Sequence, residues 1–259
     1  MTAVLPMTPA RRVWLAFGVP VCLVVVGWIG LNLVALTGQG SFGVSHPIPA
    51  RTGRVSVTFS SGDVHLRPAA GETAGLTGTA HYSLVRPRFT TRATAAGTDF
   101  GYHCDLPFGD CDLDATVSVP PGTAAAVRTG GGDASVTGTT GDVSLSTDGG
   151  TVSADEVSGD LTLATDGGDV TASAVTAGRV SASTRGGRVT LRFTRVPADV
   201  SVSTGGGDIT IVLPPGDTHY RLTEHSNGGT ASAGVPTDSS SPNVITALSD
   251  GGDISVSQS

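Results

Sequence analysis

A short phrase recurs through the second half of the 259-residue chain: one or two glycines, usually an aspartate, and then a hydroxyl residue between two apolar ones. Gly159-Asp160-Leu161-Thr162-Leu163 is one of these copies. Copies with one glycine alternate with copies that have two, so the full period is about 18–23 residues. A period of this length is typical of solenoids and other repeat arrays.

Each phrase predicts a corner followed by a short strand. Glycine adopts positive φ easily and a neighbouring aspartate can bond the local backbone, which favours a corner. The apolar–hydroxyl–apolar alternation that follows is typical of a half-buried strand. One such strand buries too little apolar surface to be stable alone, so successive copies must stack on each other.

The sequence therefore predicts an all-β protein whose residues 123–259 form a β-solenoid of roughly six two-strand coils. The predicted structural corners are Gly132, Asp133, Gly141, Asp142, Gly159, Asp160, Gly168, Asp169, Gly207, Asp208, Gly252 and Asp253. Residues 52–122 contain a predicted hairpin within 54–67 and, around 98–119, a cluster of aromatic residues that includes Tyr102 and Phe108. We expect this region to cap the first coil, because the end of a solenoid needs an atypical element to cover it.

The N-terminus indicates a membrane anchor. Arg11 and Arg12 close a short segment, 1–12, and residues 13–36 follow without a single charge. That run is long enough to cross a bilayer as a helix, and arginines before it place the N-terminus in the cytoplasm and the rest outside. A cleaved signal peptide is the alternative, although its apolar region is usually shorter. Residues 37–51 are then predicted to form a linker.

Two of the three cysteines, Cys104 and Cys111, lie in the part predicted to be exported. An even pair outside the cytoplasm favours a disulfide. Free thiols are one alternative, and a metal site with flanking residues such as His103 is another. The metal site is less favoured because a structural zinc site requires four ligands at a recognised spacing.

The repeated aspartates admit three interpretations. Their simplest role is that of corner residues. Calcium binding is an alternative, but nonapeptide calcium repeats use Gly-Gly-x-Gly-x-Asp, whereas here the aspartate follows the glycines directly. Glycoside cleavage needs one pair of carboxylates in different environments, and identical corner acids do not single out a pair.

The segment 117–122, Val-Ser-Val-Pro-Pro-Gly, leads through Ala126–Asp133 into serial Gly-Asp-Val-Ser-Leu phrases. This run resembles a widespread bacterial family of exported β-strand-repeat proteins that carry the name "putative adhesin", a domain of unknown function. The resemblance covers roughly residues 52–257. It implies a β-solenoid and exposure at the cell surface, and it supplies no catalytic or binding residue.

The remaining functional inferences are broad. The net charge of −7 argues against nucleic-acid binding, and neither a His-x-x-x-His pattern nor a Gly-x-Ser-x-Gly elbow is present, so we predict no catalytic site, no metal and no cofactor. We expect a non-catalytic binding or adhesion module of the cell envelope, with a cell-wall glycan or an envelope protein as partner. The alternatives are an accessory of an envelope-stress membrane protein complex and, more distantly, a polysaccharide-active enzyme.

Two surfaces are predicted to make contacts. The stacked strands should display one ladder of hydroxyl side chains suited to weak, repeated polar contacts: Ser135, Ser144, Ser153, Thr162, Thr171, Ser181, Thr190, Ser201 and Thr210. The last strand, 253–256, has no evident cap after it. Because an uncovered strand edge can pair with another chain, we predict end-to-end self-association there.

Overall fold

The computed structural model describes residues 18–37, 39–48, 53–83, 86–94, 97–104 and 111–259. Within these residues one long helix, α1 (Val19–Thr37), precedes a series of strands. The strands are β1 (Gln39–Ile48), β2 (Arg54–Phe59), β3 (Val64–Pro68), β4 (Ala74–Ser83), β5 (Arg88–Ala93), β6 (Thr98–His103), β7 (Cys111–Val119), β8 (Ala124–Thr129), β9 (Ala134–Thr137), β10 (Val143–Thr147), β11 (Val152–Asp155), β12 (Leu161–Thr165), β13 (Val170–Val175), β14 (Arg179–Thr184), β15 (Val189–Phe193), β16 (Asp199–Thr204), β17 (Ile209–Leu213), β18 (Arg221–Ser226), β19 (Ala231–Gly234), β20 (Val244–Ser249) and β21 (Ile254–Gln258).

The predicted membrane anchor, 13–36, is described only in part, as α1. Over the portion of the chain that the structure covers, no helix has the combined length and hydropathy needed to cross a membrane. The single transmembrane helix expected from the sequence is therefore not supported here.

The strands form two sheets. The first sheet has the order β1-β4-β7-β3-β9-β11-β13-β15-β17-β21-β19, and the second has the order β18-β20-β16-β14-β12-β10-β8-β2-β6-β5. The chain alternates between the sheets, so one strand from each sheet and the corner between them make one rung. Apart from β1, β4 and β5, which pair antiparallel, neighbouring strands run parallel.

Residues 123–259 provide seven rungs, from β8/β9 to β20/β21, rather than the predicted six or so. Two more rungs, β2/β3 and β6/β7, come from the region predicted as a cap. The cap itself consists of β1 and β4 on the first sheet and β5 on the second. The solenoid thus extends further toward the N-terminus than the repeated phrase does.

The order of the rungs in space differs from their order in the chain at both ends. Rung β2/β3 lies between β6/β7 and β8/β9, although β6/β7 comes later in the sequence. At the other end, β20/β21 lies between β16/β17 and β18/β19. At each end of the stack, therefore, the outermost rung and the rung next to it are exchanged relative to their order in the chain.

This arrangement corrects three expectations. The strand 253–256 is not an edge, because β21 pairs with β17 on one side and β19 on the other; the edges are β18 and β19. The segment 54–67 is not a hairpin, because β2 and β3 belong to different sheets and residues 60–63 form a solenoid corner. Residues 39–48, expected within a linker, form β1, which pairs along its length with β4.

Alternation along each strand sends apolar side chains into the space between the sheets. On β12, Leu161 and Leu163 are buried while Thr162 faces outward. The parallel register stacks like on like, with Leu163 beside Leu145 of the preceding rung. The core is a narrow column that runs the length of the stack, as the repeated phrase predicts.

The second glycine of each Gly-Gly corner lies against the corner below. A Cβ at Gly207 would clash with the carbonyl group of Gly187, and the same relation joins Gly187 to Gly168. Side chains are therefore excluded from this position by the closeness of the next rung. The preceding residue in the corner, Gly206, has open space around it.

These adjacent glycines provide a matched pair of substitutions. We expect Gly207→Ala to destabilise the solenoid by about 1–3 kcal/mol, because the added methyl group must force two rungs apart. Gly206→Ala should change stability by less than about 0.5 kcal/mol. Thermal unfolding followed by circular dichroism compares the two, and equal midpoints would show that the corners are not in contact as described.

Candidate functional site

A buried hydroxyl group holds each Gly-Gly corner in place. Thr165 Oγ1 accepts a hydrogen bond from the N–H of Gly168 at 3.1 Å and donates to the carbonyl oxygen of Gly150, in the rung below, at 2.8 Å. Thr165 is 4% exposed. One hydroxyl thus closes its own corner and ties it to the neighbouring rung.

The same bonds recur along the stack. The hydroxyl groups that donate to a glycine carbonyl of the adjacent rung belong to Thr129, Thr147, Thr165, Thr184, Thr204, Ser226 and Ser249. Each of them lies three residues before the last glycine of its corner. This ladder was not predicted from the sequence, although the recurring spacing Thr/Ser-x-Gly-Gly is a signal that could have identified it.

The predicted corner aspartates lie in the bends between strands and bond to neighbouring rungs. In most of them a carboxylate oxygen accepts the backbone N–H of the corresponding residue one rung away, at 2.7–3.0 Å. The acceptor–donor pairs are Asp133–Thr151, Asp142–Asp160, Asp169–Arg188, Asp208–Asp253 and Asp253–Thr230. Asp160 instead forms an ion pair with Arg179 at 3.1 Å.

These contacts give the corner carboxylates a structural role. The bonds from the Thr230 backbone N–H and hydroxyl hold the pKa of Asp253 below its ordinary value. Where an arginine replaces the aspartate, as Arg188 does, it pairs with Asp208 of the next rung at 3.2 Å and separates like charges along the ladder. Among the described residues, no group of three His, Cys, Asp or Glu side chains is placed to hold a metal ion.

The outward hydroxyl groups form two rows rather than the single ladder expected, because successive phrases belong to opposite sheets. The row on the first sheet is Thr116, His65, Ser135, Ser153, Thr171, Thr190, Thr210, Ser255 and Ser232. The row on the second sheet includes Ser144, Thr162, Ser181, Ser201, Thr246 and Thr223. Members of a row are one strand spacing apart, about 4.8 Å.

The first-sheet row ends in a groove near the N-terminal cap. The groove has a volume of about 740 Å³ and lies over the end of the row, where β4 continues the first sheet and Thr77 pairs with Thr116. Thr77 of β4 lines it together with His65, Ser135 and the carboxylates of Asp63 and Asp114. The His65 Nδ1 atom is 2.7 Å from Ser135 Oγ. The sequence could not predict this groove, since β4 reaches it only through the antiparallel pairing of the cap.

The groove and the rows present groups that can bind a ligand by hydrogen bonding. The groove offers hydroxyl groups, an imidazole and carboxylates to a polar ligand, and the rows repeat one type of donor and acceptor at a fixed spacing. Such surfaces suit extended ligands that carry many hydroxyl or amide groups.

The structure places Cys104 and Cys111 side by side, with their sulfur atoms in bonding contact and their Cα atoms 6.5 Å apart. The intervening residues 105–110 lie outside the described part of the chain. The Tyr102 hydroxyl is 3.2 Å from both the Cys111 sulfur and the Asp112 carbonyl oxygen. Burial, and secondarily the charge of Asp112, raises the pKa of Tyr102 to about 12.

Two largely parallel sheets, built from rungs with glycine corners and with hydroxyl rows outside, define a β-solenoid. The chain belongs to the family described as Toastrack DUF4097, whose model matches residues 40–257. A search of curated proteins found no match.

Several solved structures match this chain at low sequence identity. A "putative cell adhesion protein" from Clostridium sporogenes is 12% identical, and the match covers 85% of this chain and 100% of that one with a TM-score of 0.41. A "putative adhesin" from Parabacteroides distasonis is 12% identical over 84% and 96% of the two chains, with a TM-score of 0.39. A "putative lipid binding protein" from the same species is 11% identical over 83% and 96%, with a TM-score of 0.45.

The buried hydroxyl ladder can be tested on one strand. We expect Thr165→Val to cost about 1–3 kcal/mol of stability, since it leaves the Gly168 N–H and the Gly150 carbonyl without this partner inside the stack. Thr162→Val, on the outward face of the same strand, is the control and should be nearly neutral. Denaturant unfolding measures both, and a neutral Thr165→Val would mean that the ladder does not hold the rungs.

The disulfide remains a prediction and has its own test. In the denatured but unreduced protein we expect alkylation of Cys22 alone, and after reduction we expect alkylation of Cys104 and Cys111 as well. Loss of the bridge should lower stability by about 2–3 kcal/mol for a loop of this size on the chain-entropy estimate. Mass spectrometry after alkylation checks the pairing, and labelling of all three thiols before reduction would contradict it.

Proposed function

We propose that this protein is a non-catalytic binding module of the bacterial cell envelope, held at the membrane by segment 13–36. Its hydroxyl rows, and the groove at the end of the first-sheet row, would contact cell-wall glycan. The observation that carries this proposal is the pair of in-register hydroxyl rows on a rigid stack. Glycans present many hydroxyl and amide groups along an extended chain, so repeated weak hydrogen bonds add up to useful affinity.

The bonding of the corner residues supports a binding role over a catalytic one. Every predicted corner aspartate already accepts a backbone hydrogen bond or forms an ion pair with a neighbouring rung. A glycosidase needs two carboxylates free to exchange protons or attack the sugar, in unlike environments. The proposed location at the membrane is based on Arg11 and Arg12 and on the uncharged run that follows them.

Sedimentation of the full-length protein with purified cell-wall glycan tests the proposal. We expect saturable binding, and we expect it to weaken at least tenfold in the triple variant Thr171→Val, Thr190→Val, Thr210→Val. That estimate assigns about 0.5–1.5 kcal/mol to each lost hydrogen bond. These three outward residues lie on successive rungs of the first sheet.

The corresponding variant of the other face is the triple variant Thr162→Val, Ser181→Ala, Ser201→Ala on the second sheet. A loss confined to one variant identifies the binding face, and a loss in both indicates that two faces bind. Binding that neither variant weakens, or no binding at all, would overturn the proposal. Capture of one membrane protein in place of the glycan would favour the accessory role instead.

A further inference from the structure

The two ends of the solenoid are finished differently. At the N-terminal end, β1 and β4 extend the first sheet, β5 extends the second, and aromatic rings fill the interior. Phe89 packs with its ring centroid 5.9 Å from that of Phe100 and 5.4 Å from that of Tyr102. This end is closed by strands that pair antiparallel with their neighbours and by a large apolar cluster.

The C-terminal end has no comparable cover among the described residues. The last rung is β18/β19, and each of these strands is the outermost member of its sheet. All of β19 is exposed, and the inward side chains of β18 are only half-buried. The outer edge of the second sheet is bridged just before β18, where the Tyr220 N–H donates to Pro236 and its carbonyl accepts from Asp238. Along Arg221–Ser226 and Ala231–Gly234, no described strand pairs with the outer edge.

One inward position on this rung carries a carboxylate. Glu224 stacks on Ala247 of β20, and Leu222 of the same strand stacks on Ile245, so both point between the sheets. The Glu224 Oε1 atom is buried and has no hydrogen-bond partner. In the other described rungs no inward member of the parallel register is charged; these positions hold mainly apolar residues and hydroxyl groups.

The groups around Glu224 leave its charge uncompensated. The strands packed against β18 are β19, β20 and β21, and none of them contains a titratable residue. Arg221 and His225 of β18 itself point to the outer face, opposite to Glu224, and His225 bonds to Asn227 at 2.9 Å. Tyr220, next to the strand, is buried.

We propose that the C-terminal end of the solenoid is a docking surface for the same end of a second copy of this chain, and that the charge of Glu224 decides whether the two ends join. A two-fold axis normal to the sheets would pair β18 with β18 of the second copy and β19 with its counterpart, both antiparallel. A single extended peptide could cover only one of the two edges. A second copy covers both and closes the core.

The pairing geometry makes Glu224 the controlling residue. In an antiparallel pair, residues directly opposite each other lie on the same face of the sheet. Any register that keeps the two cores facing each other therefore places Glu224 inside the joined core, opposite another inward residue. An ionised carboxylate there is costly, whereas a protonated one is tolerated more easily. Inward charges of this kind are a known protection of strand edges.

The ionisation of the surrounding groups defines a pH window. Burial raises the pKa of Glu224, so acidification removes its charge first. The bonds from Thr230 lower the pKa of Asp253, so the carboxylate that holds the last corner to its neighbour stays ionised at the same pH. Joining is thus favoured as the pH falls through the raised pKa of Glu224, before the corner contact is lost.

The test measures the mass of the full-length protein in detergent by sedimentation velocity. We expect a monomer at neutral pH, a dimer near pH 5, close to but above the ordinary glutamate value of about 4.3, and a dimer of Glu224→Gln at neutral pH. Glu72→Gln is the control, because it makes the same change in an exposed loop between β3 and β4 at the N-terminal end and should remain monomeric at neutral pH.

A cross-link locates the contact. In a Cys22→Ser, Glu224→Gln background, Thr223→Cys should form a disulfide between two copies, whereas Thr190→Cys in the middle of the stack should not. A monomeric Glu224→Gln together with a monomeric wild type near pH 5 would overturn the proposal. Open-ended polymers would overturn it as well, because a two-fold contact uses the C-terminal end of each copy and leaves none for a third copy. These outcomes do not depend on glycan binding, so either proposal can fail alone.

Discussion

The contact between successive Gly-Gly corners sets the geometry of the whole molecule. Gly187 and Gly207 approach so closely that no side chain fits between them, and Thr204 donates to the Gly187 carbonyl at 2.9 Å across the same gap. This contact fixes both the distance between rungs and their register. Because the register is fixed, leucine stacks on leucine in the core and hydroxyl on hydroxyl outside, so the surface that we propose for binding is a consequence of how the corners pack.

The repeated phrase was sufficient to predict strands, corners, inward residues and stacking, since each of these depends on residues close together in the sequence. Leu161 and Leu163 had to face inward once their strand was recognised. The role of Thr165 was not predicted, because threonine at the end of a strand looks like one more alternating residue until its hydroxyl is seen to reach a carbonyl in another rung. Its fixed spacing from the glycines was the available signal.

The order of the rungs could not be derived from the sequence. All rungs end in similar corners and present similar apolar residues, so β20 would find equally suitable partners in several places. The chain contains no local feature that says whether β20 joins β16 directly or lies beyond β18. The groove near the cap was hidden for the same reason, because it depends on β4 and β7 meeting over a long loop in the sequence. Long-range pairing, rather than local preference, decides both.

The placement of β20/β21 has a consequence for how the length of such a protein can change during evolution. Because the final segment of the chain is enclosed between two other rungs, duplication or loss of residues at the C-terminus would alter an interior layer and not simply lengthen or shorten the stack. The middle rungs, from β8/β9 to β16/β17, follow one another in sequence order and can be multiplied without disturbing either end. Variation in repeat number among relatives should therefore fall in that central segment.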